Sequence, residues 1–188
     1  MNIVERVWNQ VLLLEPDIHE DHRGFFLESY RQDQLERLGI IDYFVQDNHS
    51  YSKEPGILRG LHYQQLEKAQ SKLVRVTSGA IYDVVVDIRK GSPTYGEWVS
   101  FILSEYNKRM LYVPKGFAHG FCTLTPNTNI VYKVDTYYSP DHDCGIKWCD
   151  PQIGISWPIS TPILSKKDEL QPFLAEVDTT FSYKEMYV

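Results

Sequence analysis

Short runs of β-branched and aromatic residues, separated by turn-forming residues, recur along most of this 188-residue chain. Sequences such as Ser78-Gly79 and Gly91-Ser92-Pro93-Thr94 mark the turns. Many short strands at such spacing are typical of a β-sandwich, jelly roll or barrel, so the sequence predicts a mainly β fold. Strands are expected at residues 25–30, 44–52, 72–78, 80–88, 98–103, 110–113, 117–124 and 129–138.

Helical patterns are few. In residues 31–38, Leu35 and Leu38 share a helical face, and Gly39 stands where a C-terminal cap belongs. A second short helix is predicted around residues 165–170. No repeat, low-complexity tract or linker interrupts the chain, which predicts a single domain spanning residues 1–188.

The charge and the cysteines exclude several classes of function. A formal net charge of −6 argues against a nucleic-acid surface, which needs a basic face. The three cysteines (Cys122, Cys144 and Cys149) cannot all pair, and their spacing matches no zinc motif, so free thiols are expected. Because the N-terminus carries an early acid and no apolar stretch approaches a membrane span, we expect a cytoplasmic protein without membrane partners.

Ionisable side chains interrupt segments that otherwise have the pattern of strands. Arg59 and His62 lie in the segment Leu58-Arg59-Gly60-Leu61-His62-Tyr63-Gln64, and Lys72 follows. His119 lies in the apolar segment 113–121, which precedes Tyr132. Since alternate side chains of a strand share a face, Lys72 and Tyr132 should each share a face with aliphatic residues. An inner sheet face with His, Lys and Tyr among aliphatic residues indicates a ligand cavity. A base, an acid and several cations together suit proton transfer on an anionic substrate.

Segments along nearly the whole chain resemble the dTDP-4-dehydrorhamnose 3,5-epimerase family. In chain order these segments cover residues 21–28, 46–50, 58–64, 72–74, 87–94, 114–121, 148–151 and 164–168. The resemblance implies a cupin-type jelly roll or β-sandwich barrel with a few short helices, acting as a homodimer without a cofactor or metal. It also implies inversion at C3 and C5 of dTDP-4-dehydro-6-deoxy-D-glucose, which gives dTDP-4-dehydro-L-rhamnose.

The resemblance assigns catalytic roles that agree with the chemistry. Both inverted carbons are alpha to the C4 ketone, so removal of either proton gives an enolate. His62 is the implied base, and Tyr132 is the implied acid on the opposite face of the sugar. Lys72 would stabilise the enolate oxygen. Asp168 matches the aspartate that fixes the tautomer of the histidine, and Asp83 is the second choice for that role.

The resemblance also implies a binding set for a dTDP-sugar. Arg59, Arg23 and Lys167 would bind the diphosphate. Tyr138 matches a residue that stacks on thymine. The remaining implied contacts are Glu28, Gln46, Asp47, Asn48, His119 and Asp143. Part of each nucleotide pocket is expected to come from the partner subunit, through the segment 23–28.

Three other functions stay open from the sequence. A metal-dependent cupin usually carries His-x-His, whereas this chain has His62-Tyr63-Gln64. His119 follows a Pro-x-Gly-x-x-His pattern, in which metal cupins place a ligand. An epimerase acting only at C3 or only at C5, or a 3,4-ketoisomerase, would share most of the same residues. A module that binds a sugar or nucleotide without catalysis is the third alternative.

Overall fold

The computed structural model describes residues 1–183, and 13 strands form most of the regular structure in this range. Their bounds are Asn2–Val7 (β1), Val11–Glu15 (β2), Ile18–Asp21 (β3), Gly24–Leu27 (β4), Gln46–Ser52 (β5), Leu58–Gln64 (β6), Lys72–Ser78 (β7), Ala80–Asp87 (β8), Trp98–Ser104 (β9), Met110–Val113 (β10), Phe117–Thr123 (β11), Thr128–Val134 (β12) and Asp143–Gly145 (β13). The α-helices are Gln32–Arg37 (α1) and Lys166–Glu169 (α2), and short 3-10 helices lie at Leu66–Lys68, Pro140–His142 and Leu174–Glu176. Within residues 1–183, no helix has the length and apolar character needed to cross a membrane.

Two antiparallel sheets pack as a sandwich. The six-stranded sheet has the order β1-β2-β10-β7-β12-β5, and the five-stranded sheet has the order β13-β6-β11-β8-β9. From β5 to β8, each successive strand belongs to the other sheet, a connectivity typical of jelly rolls. Strands β3 and β4 form a separate hairpin. The predicted β-sandwich with a few short helices is therefore confirmed.

The main core lies between the two sheets. Val74 and Val76 on β7 and Ile130 on β12 pack against Val85 and Phe121 of the five-stranded sheet. The period-2 alternation of these strands puts their apolar side chains on the inner face. Each fully buried aliphatic side chain of this kind contributes about 1.5–3 kcal/mol to stability. The packed part of the sandwich thereby fixes the separation of the two sheets.

Both outer sheet faces are also covered. Residues after β13, including Ile153 and Leu174, pack on Leu61 and Val86 of the five-stranded sheet. On the six-stranded sheet, a second cluster forms around Leu35 of α1. The residues after β13, which have little regular structure, therefore have a definite packing role beside β6.

The sequence predicted many element positions correctly. Strands 72–78 and 110–113 match β7 and β10, and both predicted helices are present. The strand expected at 129–138 ends at Val134, and the one expected at 25–30 is only the short β4. Strands β1, β2, β3 and β13 were not predicted. None of the three cysteines, which all lie within the described residues, forms a disulfide.

A bulge in β6 changes which residues share a face. His62 pairs with His119 and Arg59 pairs with Phe121, so three steps on β6 oppose two steps on β11. The extra residue brings Arg59 and His62 to the same side of the sheet, where both line one cavity. Gly60 lies inside this bulge with a φ of +133°, and an added Cβ would lie 2.5 Å from the Cα of Gly120. The two backbones therefore approach too closely for a side chain at position 60.

Replacing Gly60 with alanine should lower the free energy of unfolding by about 2–4 kcal/mol, because the methyl group meets backbone at an unfavourable φ. Gly91→Ala is the matched control, since Gly91 also has positive φ (+78°) but no atom within 4 Å of its added Cβ. The control should lose only about 1 kcal/mol. Urea denaturation measures both, and equal losses would contradict the close-approach argument.

Candidate active site

A cavity of about 510 Å³ opens between the two sheets. An adjoining hollow of about 350 Å³ shares His62, Lys72 and Tyr132 with it, so the two form one continuous site. Eleven of the fourteen sequence-predicted site residues line this space: Gln46, Asn48, Arg59, His62, Lys72, His119, Tyr132, Tyr138, Asp143, Lys167 and Asp168.

His62 is held by Asp168. Its Nε2 lies 2.5 Å from Oδ1 of Asp168, whose side chain is almost completely buried. A carboxylate accepts hydrogen bonds, so Nε2 carries the proton and Nδ1 is the ring nitrogen left to accept one. The imidazole remains 30% exposed, on the cavity wall. This arrangement leaves His62 able to act as a base from a fixed orientation.

Asp168 is supported in turn by the start of α2. Ser165 caps this helix, accepting a hydrogen bond from the Asp168 amide and donating from Oγ to Asp168 Oδ2 at 2.7 Å. Burial raises the pKa of Asp168, but hydrogen bonds from His62 and Ser165 outweigh that effect, and the net pKa lies below the usual value. Asp168 is therefore ionised at neutral pH. The Ser-x-x-acid pattern at 165–168 is a helix-capping signal that could have identified Ser165 from sequence.

Lys72 begins β7 and reaches the cavity from the six-stranded sheet. Its Nζ donates to the His62 carbonyl oxygen at 3.2 Å. Desolvation lowers the pKa of Lys72 to about 8, while the carboxylates of Asp143 and Asp83 oppose this shift. At neutral pH the side chain is mostly an ammonium ion, held in a partly apolar wall beside Val74.

Tyr132 enters from β12, so it belongs to the sheet opposite the one that carries His62. Its neighbours in the sheet are Val74 on β7 and Asn48 on β5. Burial raises the pKa of Tyr132, and the positive charge of Arg59 only partly offsets this. The phenol therefore keeps its proton at neutral pH and can donate it. The imidazole of His62 and the phenol of Tyr132 thus face the cavity from different sheets.

His119 forms a second imidazole–carboxylate pair. Its Nε2 lies 2.6 Å from Oδ1 of Asp83, a fully buried residue on β8. Asp83 therefore pairs with His119, and Asp168 pairs with His62. Because His119 and His62 are direct partners on adjacent strands, the two imidazoles share one cavity wall. Within residues 1–183, no group of three His, Cys, Asp or Glu side chains is arranged to hold a metal ion.

Cations and an aromatic ring lie at the rim. Lys167 pairs with Asp143, whose Oδ2 also accepts from the Tyr138 hydroxyl at 2.9 Å. Arg59 donates to the Tyr51 carbonyl oxygen at 3.3 Å and is otherwise exposed. The rim thus offers two exposed cations and a half-exposed phenol ring next to His62 and Tyr132.

Three predicted binding residues lie away from the cavity of their own chain. Arg23 sits at the β3–β4 turn and pairs with Asp21 at 2.6 Å. Glu28 accepts hydrogen bonds from Arg31 and Gln34. Asp47 pairs with Lys133 at 2.7 Å. Sequence reasoning also missed several cavity-lining residues, namely His49, Ser50, Tyr51, Val74, Phe121 and Ser165. His49 and Ser50 belong to the same 46–50 segment as the predicted residues.

The chain matches known proteins over most of its length. A sequence model of the family described as dTDP-4-dehydrorhamnose 3,5-epimerase matches residues 7–176. The dTDP-4-dehydrorhamnose 3,5-epimerase of Salmonella typhimurium is 52% identical over 176 residues, which cover 93% of this chain and 96% of that protein. Two solved structures are also similar, each with a TM-score of 0.90.

The first of these structures is the dTDP-4-dehydrorhamnose 3,5-epimerase of Bacillus anthracis with TDP and PPi bound. It is 55% identical, and the match covers 92% of this chain and 98% of that one. The second is the dTDP-6-deoxy-D-glucose-3,5-epimerase of Legionella pneumophila in complex with dTDP-4-keto-L-rhamnose. It is 47% identical, and the match covers 94% of each chain. Fold and sequence therefore identify the same set of relatives.

The Lys72 environment predicts a specific pH dependence of stability. Its pKa is about 8 in the folded protein and 10.5 ordinarily, so between these values the unfolded chain binds more protons. The free energy of unfolding of the wild type, relative to Lys72→Met, should therefore rise by about 2 kcal/mol from pH 7 to pH 10. Lys53→Met, at an exposed position outside the cavity, is the control. A constant difference across this range would refute the buried-ammonium description.

Proposed function

The chain belongs to the dTDP-4-dehydrorhamnose 3,5-epimerase family, and we propose that it inverts C3 and C5 of dTDP-4-dehydro-6-deoxy-D-glucose to give dTDP-4-dehydro-L-rhamnose. It is thus an isomerase. One observation carries the assignment to residues: His62 and Tyr132 line the same cavity from opposite sheets. Inversion alpha to a ketone needs a proton removed from one face and another added to the opposite face.

Nδ1 of His62 takes the proton from C3 or C5, and the C–H electron pair forms an enolate with the C4 carbonyl. Asp168, ionised and bonded to Nε2, stabilises the imidazolium that results. The Lys72 ammonium interacts with the developing charge on the C4 oxygen, a contribution typically worth several kcal/mol. Tyr132 then gives its phenol proton to the carbon on the other face. Before the next inversion, His62 releases its proton to water and the Tyr132 phenolate regains one.

The rim suits the charged part of the substrate. Arg59 and Lys167 are exposed cations that can reach the diphosphate oxygens, and Arg offers paired donors for such groups. Tyr138 presents a half-exposed ring in the adjoining hollow, where a thymine base could stack. His119, held by Asp83, would contact the hexose next to the base. Gln46, Asn48 and Asp143 complete the proposed set within one chain.

We also propose that the protein works as a homodimer in which the partner subunit completes the nucleotide pocket. Two observations support this: Arg23 and Glu28 lie outside their own cavity, and Phe25 and Phe26 between them expose large rings. An exposed apolar hairpin of this kind is suited to a protein interface. The three unpaired cysteines are in keeping with a reducing, cytoplasmic location. Because the cavity draws on residues 46–168, the chain would act as a single domain.

Turnover in D₂O tests the catalytic assignment. Wild-type protein should introduce deuterium at both C3 and C5 of the product. The His62→Ala variant lacks the proposed base and leaves Asp168 without its partner. The rate of exchange should therefore fall about 100- to 10,000-fold. Tyr132→Phe should still allow exchange on the His62 face but form about 100-fold less inverted product. Tyr106→Phe, at an exposed tyrosine outside the cavity, is the matched control. Deuterium at C3 alone or at C5 alone would indicate an epimerase that acts on one carbon. No deuterium at either carbon would indicate a module that binds the sugar without catalysis.

Mixing of inactive subunits tests the shared pocket. In a heterodimer of His62→Ala and Arg23→Ala subunits, one site would combine an intact His62 with the intact Arg23 of the other subunit. After random reassortment, half of the dimers are mixed, and each mixed dimer has one complete site out of two. A quarter of all sites is then complete, so the mixture should show about a quarter of the wild-type activity. If Arg23 acts in its own chain, or if the protein is monomeric, mixing restores nothing.

A further inference from the structure

The backbone that carries Tyr138 has an unusual set of partners. The sequence predicts that the strand continues to residue 138, but β12 ends at Val134, and residues 136–139 belong to no strand. Backbone amides and carbonyls that leave a sheet need other partners when they are not solvated. Here glutamine side chains from three separate segments supply them.

Four consecutive residues each have a backbone group bonded to a glutamine amide. Together the bonds connect β5, the end of β6 and the 65–71 loop to one short segment. They are Gln70 Nε2 to Thr136 O at 2.6 Å, Gln64 Nε2 to Tyr137 O at 3.4 Å, Tyr138 N to Gln46 Oε1 at 3.1 Å, and Ser139 N to Gln64 Oε1 at 2.7 Å.

Gln64 is the central member of this set. Its side chain is almost completely buried, and Nε2 also donates to the Lys68 carbonyl oxygen at 2.7 Å. Each end of the amide is thus committed to backbone, which fixes its orientation. An amide is suited to this task because one planar group offers both a donor and an acceptor. A histidine at this position, as in the His-x-His pattern, could not make the same three bonds.

We propose that Gln64 and Gln70 are positioning residues that hold the 136–139 backbone so that the Tyr138 ring can bind the nucleobase. The inference rests on the proposed function, in which Tyr138 stacks on thymine. The Tyr138 side chain is half exposed, and its hydroxyl bonds to Asp143, which itself lies on the rim. The ring is therefore placed by its backbone and by the bond to Asp143. Gln64 and Gln70 make three of the four glutamine bonds to that backbone, and Gln46 makes the fourth.

A double-mutant cycle tests this coupling. Gln64→Met and Gln70→Met keep side-chain volume and remove the hydrogen bonds, and each is combined with Tyr138→Ala. The measurements are calorimetric affinity for dTDP, and kcat and KM for the dTDP-sugar. Gln152→Met, at an exposed residue outside the cavity, is the matched control. Thermal unfolding of each variant shows that it is folded, and Gln70→Met, at a half-buried position, serves if Gln64→Met does not fold.

Each glutamine variant should bind dTDP about 3- to 10-fold more weakly, because the 136–139 backbone loses about the free energy of one hydrogen bond. KM should rise to a similar extent while kcat stays within about twofold, because the base and acid are untouched. In the Tyr138→Ala background the same substitutions should have no further effect. Direct contact of the glutamines with substrate would instead give additive losses, and this outcome overturns the proposal.

The remaining outcomes separate the two proposals. If wild-type protein binds dTDP and epimerises but neither glutamine variant differs from the Gln152→Met control, the positioning role is refuted and the proposed function stands. If Tyr138→Ala binds dTDP as the wild type does, the ring is not the nucleobase contact, and the inference fails. If wild-type protein neither binds dTDP nor acts on the sugar, the proposed function is refuted, and the inference that rests on it is refuted with it.

Discussion

The buried carboxylate of Asp168 is the constraint on which the site depends. An ionised carboxylate is costly to bury unless hydrogen bonds surround it, and here His62 and the Ser165 cap provide them. Asp168 and His62 are 106 residues apart in sequence, so their bond ties the end of the chain to β6. The residues after β13 that cover the five-stranded sheet thus also include the carboxylate that bonds to His62. The packing of the residues after β13 and the orientation of the His62 ring are therefore linked through Asp168.

The two sheets of the sandwich each contribute one of the two groups proposed for proton transfer. Facing sheets pack about 10 Å apart, and the cavity opens between them where His62 and Tyr132 approach from the two sides. The aliphatic core around Val76 and Val85 holds the sheets at this distance elsewhere. Because His62 comes from one sheet and Tyr132 from the other, the fold itself separates the proposed base from the proposed acid.

Local sequence determined part of this arrangement and could not determine the rest. Alternation correctly placed Lys72 with Val74 on an inner face, since that relation depends only on neighbours along one strand. The bulge that brings Arg59 beside His62 depends on pairing with β11, which no pattern within β6 reveals. The family resemblance supplied Asp168, but whether it or Asp83 faces His62 is decided by long-range packing. Beyond the end of β12 at Val134, the backbone of residues 136–139 bonds to glutamines from distant segments, and periodicity alone predicted too long a strand.

Net charge describes the chain and not the cavity. The protein carries a formal charge of −6, yet Arg59, Lys72 and Lys167 all line one cavity. Of the acids near them, Asp168 is committed to His62, and Asp143 is shared between Lys167 and Tyr138. Asp83 is likewise committed to His119. Cations that line the cavity can therefore act on a nearby anion although the whole molecule is acidic, because Coulomb interactions over a few ångströms exceed those screened by solvent and salt at longer range. Burial strengthens this effect at Lys72: the same desolvation that lowers its pKa to about 8 also lowers the local dielectric, so its remaining charge acts more strongly on a nearby oxyanion.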